Sequence, residues 1–65
     1  MMDAPKIGQQ VRLNSPKSLE HGRLFEVVAV HPSGKFADIK SDAPHAWKVY
    51  TEPLNNLMHP DWRAW

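Results

Sequence analysis

Leu24-Phe25-Glu26-Val27-Val28-Ala29-Val30, Phe36-Ala37-Asp38-Ile39 and Trp47-Lys48-Val49-Tyr50 are the three apolar runs that decide the fold. Each is short, rich in β-branched and aromatic residues, and cut from the next by turn residues. That pattern reads as strands, not helices. In the first run, Leu24, Val28 and Val30 share one face with Glu26, while Phe25, Val27 and Ala29 share the other. A strand apolar on both sides must be covered twice or sharply bent. The bend predicts an all-β sheet curled into a small barrel, with little interior to spare for a catalytic cavity.

The rest of the chain fits around this centre. His31-Pro32-Ser33-Gly34-Lys35 reads as a hairpin, with Pro32 opening a type I turn and Gly34 left-handed. Ser41-Asp42-Ala43-Pro44-His45 is a second, less regular turn. Upstream, Gly8 turns the chain into Gln10-Val11-Arg12-Leu13, where Val11 and Leu13 face one way and Gln10 and Arg12 the other. Residues 14–22 form a long first loop, which Leu19 is expected to pin to the barrel. Downstream, Pro53 breaks the strand and suits a single 3₁₀ turn. Leu54, Leu57 and Met58 then supply a short closing strand. The reading divides the chain into a loose leader (1–5), a barrel (6–58) and a Trp-containing tail (59–65).

Size and composition bound the function. Sixty-five residues make one small domain. There is no cysteine, so neither a disulfide nor a thiolate metal site is available, which fits a reducing, cytoplasmic setting. No apolar run is long enough to span a membrane. Eight Lys/Arg stand against seven Asp/Glu, and the basic residues are scattered. His21, His31, His45 and His59 lie ten or more positions apart, without the close spacing of a chelate. The expectation is therefore no metal, no cofactor and no catalytic residue. Glu26 is placed on the exposed side of its bent strand.

The order of strand, long loop, long bent strand, tight hairpin, strand, strand, one-turn break and short strand resembles the SH3-like barrel of SH3, Tudor and KOW-type domains. The residues carrying it are Gly8-Gln9-Gln10-Val11-Arg12, Gly22 to Val30, and Tyr50-Thr51-Glu52-Pro53-Leu54-Asn55-Asn56-Leu57. The resemblance implies a five-stranded, partly open barrel. In KOW-type domains the segment before the second strand touches RNA or protein, and Gly22 and Arg23 fit it. Gly8-x-x-Val11-Arg12 and Lys48-Val49-Tyr50 are also similar to the plasmid-type dihydrofolate reductase, an SH3-like barrel whose tetramer encloses a pore. That family's triplet is Gln-Ile-Tyr, so Lys48 departs from it where cofactor binding is concerned.

The aromatics are the better lead. With Ala37 and Ile39 inward, Phe36 faces out; with Val49 and Trp47 inward, Tyr50 and Lys48 face out. The reading expects a non-enzymatic module that binds a protein partner through Phe36, Trp47, Tyr50 and Trp62, rimmed by Arg12 and Lys48. The alternative is a nucleic-acid binder, with Arg23, Lys35 and Lys40 added as phosphate contacts, and a more remote one, implied by the second resemblance, is an oligomeric enzyme of the dihydrofolate reductase type. Trp62 is expected to fold over an open end of the barrel.

Overall fold

The computed structural model describes residues 4–41 and 48–64; the irregular second turn, Trp47 and Trp65 lie outside them. Five strands are present: β1 (Gln10–Leu13), β2 (Leu24–Val30), β3 (Phe36–Ser41), β4 (Val49–Pro53) and β5 (Leu57–Met58). They form one antiparallel sheet in the order β4-β3-β2-β1-β5. A 3₁₀ turn, Leu54–Asn56, separates β4 from β5. This is the SH3-like arrangement, curled but not closed, because β4 and β5 do not pair.

The inner face is apolar. Val11, Leu13, Phe25, Val27, Ala37, Ile39 and Leu57 are buried, and Val30, Tyr50 and Leu54 pack against them. Alternation on β1 and β3 places these residues as the sequence pattern demands. Each fully buried Val, Leu, Ile or Phe side chain stabilises the fold by about 1.5–3 kcal/mol. Among the described residues no buried side-chain nitrogen or oxygen lacks a partner.

β2 solves its two-sided apolar pattern with a bulge. Val27 pairs with Ile39, but the next paired residue is Ala29, opposite Asp38. Val28 is the extra residue. Phe25 and Val27 point inward before it; after it, Val30 takes the inner face opposite Ala37 and Ala29 moves to the outer one. An extra residue both reverses the alternation and increases the bend.

Turn chemistry sets the registers. At the β2–β3 hairpin, Gly34 sits at φ 73° and donates to the His31 carbonyl at 2.9 Å. Gly8, at φ 91°, donates to the Val27 carbonyl at 2.8 Å and so brings the first turn against β2. The 3₁₀ turn is held at both ends: the Leu54 amide donates to Lys35 O at 3.0 Å, and Asn14 N donates to Asn56 O at 2.7 Å.

Two orientations differ from the sequence reading. Tyr50, opposite Ile39, faces the core, and Val49, opposite Lys40, faces out and is 50 % exposed. Leu19 does not pin the long loop to the sheet: it is 95 % exposed. The loop is held instead by backbone bonds, Leu13 N to Arg23 O at 3.2 Å and Gly22 N to Leu13 O at 2.7 Å.

Candidate interaction surface

The outer face of the sheet follows from the same registers. Across it run Gln10, Glu26, Lys40 and Val49 in one row and Ala29, Asp38 and Thr51 in the next, with Phe36 opposite Pro53 at the end. Phe36 points outward, as the pattern on β3 requires, and is 41 % exposed. Its ring lies 6.1 Å from that of His31. Phe36 and Val49 therefore bracket a polar centre on β3 and β4.

That centre is built on Asp38. Its Oδ1 accepts the Thr51 hydroxyl at 2.6 Å and approaches His31 Nε2 at 2.8 Å. The Thr51 hydrogen bond, then the one from His31, hold the Asp38 carboxyl below its ordinary value of 3.8. Both neighbours address the same carboxylate oxygen. The hydroxyl is thus committed to an acid, and the arrangement lacks the nucleophile-to-base contact of a hydrolytic triad.

Tyr50 and Lys48 lie elsewhere. The Tyr50 ring meets Phe25 edge-on, with centroids 5.9 Å apart, and the Lys48 ammonium sits 5.3 Å from the Tyr50 centroid. Tyr50 thus spends its ring on the core. Neighbouring strand residues alternate, so reading β4 one residue out of register exchanges every inner and outer position.

Arg12 and Trp62 form a second locus, on the β1–β5 side. Arg12 leaves the outer face of β1 and donates from Nε to Pro60 O at 2.6 Å and from Nη1 to Gly22 O at 2.9 Å. It ties the tail to the long loop. Trp62 is half-buried and meets the His21 ring edge-on at 5.8 Å; His21 Nδ1 accepts the Ser15 amide at 3.0 Å. Arg12, Gly22, Trp62, Arg63 and Ala64 line an open cleft of about 150 Å³. The tail thus folds over the loop. No sequence signal marked the carbonyls of Gly22 and Pro60 as the partners of Arg12, since backbone acceptors leave no trace in residue type.

Apart from Arg12 and Arg63, which line the same cleft, the basic residues are not gathered. Arg23 is paired with Glu20 at 3.2 Å, Lys40 lies between Glu26 and Val49 on the sheet, Lys35 is in the hairpin and Arg12 is at the tail. Among the described residues no group of three or more His, Cys, Asp or Glu is placed to hold a metal ion. No helix there is long and apolar enough to cross a membrane.

No family model, curated protein or solved structure matches this chain.

Proposed function

We propose that this protein is a non-enzymatic interaction module that binds a protein partner through the outer face of β3 and β4. The observation that supports it is that Phe36, opposite Pro53, and Val49, opposite Lys40, are both partly exposed apolar side chains on this face, one on each side of the polar Asp38–Thr51 pair. A domain this small has few apolar residues to spare from its core, and exposed apolar groups with a polar surround mark contact surfaces. Lys40 supplies the basic edge, while Lys48 lies by the Tyr50 ring and not on this face. Tyr50 is not part of this contact, because its ring is packed on Phe25. Arg12 and Trp62 belong to the tail locus.

The nucleic-acid reading receives less support. Arg23 is engaged by a carboxylate, and the outer face mixes Glu26 and Asp38 with its lysines. Affinity carried by phosphate contacts falls with salt at a slope of about 0.9 per contact. Contact through an apolar face is far less sensitive. Affinity capture by the purified protein, with and without nuclease and across a salt series, separates the two. The proposal expects capture that survives nuclease and changes little with salt. Capture abolished by nuclease or falling steeply with salt would transfer the function to nucleic acid.

A further inference from the structure

The cleft on the β1–β5 side carries chemistry that the β3–β4 face does not use. Arg12 and Arg63 both line it, with the Trp62 indole and the backbone of Gly22. Gly22 has φ 82°, a conformation that favours a residue without a side chain, so the wall stays low where the loop meets the cleft. The two bonds from Arg12 to carbonyls fix its guanidinium but neutralise nothing. A guanidinium has five N–H donors, so two bonds leave donors over. Among the described residues the carboxylate pairings go to Arg23, His31 and His59, not to Arg12 or Arg63. The held guanidinium of Arg12 and the exposed Arg63 thus share one concave space, and among the described residues no carboxylate pairs with either. Partial burial of Arg12 raises the energy of its cation, and an incoming anion lowers it.

We propose that this cleft is an oxyanion-binding site selective for a phosphate monoester carrying a planar group. The phosphate takes the guanidinium of Arg63 and the free donors of Arg12. The planar group lies against the Trp62 indole, which the His21 ring meets edge-on. Guanidinium forks match phosphate oxygens bidentately, and an aromatic face beside them rewards a ring on the ligand. A space of about 150 Å³ accommodates a phosphate and one ring edge, not a large cofactor. The site is separate from the β3–β4 face and stands or falls independently of it.

The test is a titration of the uniformly ¹⁵N-labelled chain with phenyl phosphate, alongside phenylacetate and sodium chloride at matched ionic strength. Expected are saturable shifts of the Trp62 indole N–H, the Gly22 amide and the Arg12 and Arg63 Nε–H signals with phenyl phosphate. Phenylacetate should bind more weakly and sodium chloride should not reproduce the shifts. Arg63→Gln, an exposed tail position, should weaken binding about tenfold, the loss of one charge-assisted contact. Absence of saturation, equal response to sodium chloride, equal affinity for the carboxylate, or undiminished binding by Arg63→Gln would overturn the proposal. The arginine Nε–H signals of the wild-type chain decide the matter even if the variant alters the tail.

Discussion

Tyr50 is the residue where sequence and structure part most clearly. The run Val49-Tyr50-Thr51-Glu52 has two adjacent apolar residues, so period-two alternation allows either one inside. The pairing Ile39↔Tyr50 decides it, and a cross-strand register is not written in either strand alone. Burial of the Tyr50 ring against Phe25 predicts that Tyr50→Ala destabilises the fold by about 2 kcal/mol, below the cost of emptying a fully buried aromatic site; chemical denaturation measures it. An unchanged midpoint would place the ring outside the core. Asp38 makes the second residue-scale prediction. Its carboxyl is depressed in the folded state, first by Thr51 and then by His31. The stability this contributes is present above the ordinary carboxylate value and is lost as pH falls through the folded one. Thr51→Val removes the larger cause. The Asp38 value should rise toward 3.8 by carboxyl NMR, and stability should depend less on pH on the acid side. A value that does not move would mean that the hydroxyl does not donate to it.

At the scale of elements, the strands and turns were largely legible. β1, β2, β3 and the 3₁₀ turn after Pro53 follow from alternation and from the residues that forbid it. The need for a bend in β2 was visible as apolar character on both faces; its position was not. Val27 and Val28 are identical side chains, and only the pairing with β3 assigns the extra residue to Val28. Gly34 was legible because a left-handed residue was required there, and it sits at φ 73°. A Cβ at that position meets nothing within 4 Å, so the cost of Gly34→Ala is torsional alone. Thermal or chemical unfolding should show a loss of about 1 kcal/mol, and no loss would mean that the hairpin adopts another turn. In the long loop, the apolar character of Leu19 does not bring it into contact with the sheet. Backbone bonds from Leu13 and Gly22 hold the loop instead.

At the scale of the molecule, the curled sheet consumes one face for its core and leaves the other to solvent. The candidate patch was legible in part. Phe36 stands where alternation on β3 puts it, but the sequence reading joined it to Tyr50, Arg12 and Trp62 as one surface. The fold turns Tyr50 inward and draws Arg12 and Trp62 to the β1–β5 side, because contacts between distant segments gather residues that spacing cannot. Val49 takes the place assigned to Tyr50. The most direct measurement pairs stability with capture in the double variant Phe36→Ser, Val49→Ser. Phe36 is 41 % and Val49 50 % exposed, so their removal should cost about 1 kcal/mol per site and leave the chain folded, while retention of the captured partner is lost. Capture undiminished in a folded double variant would contradict the account.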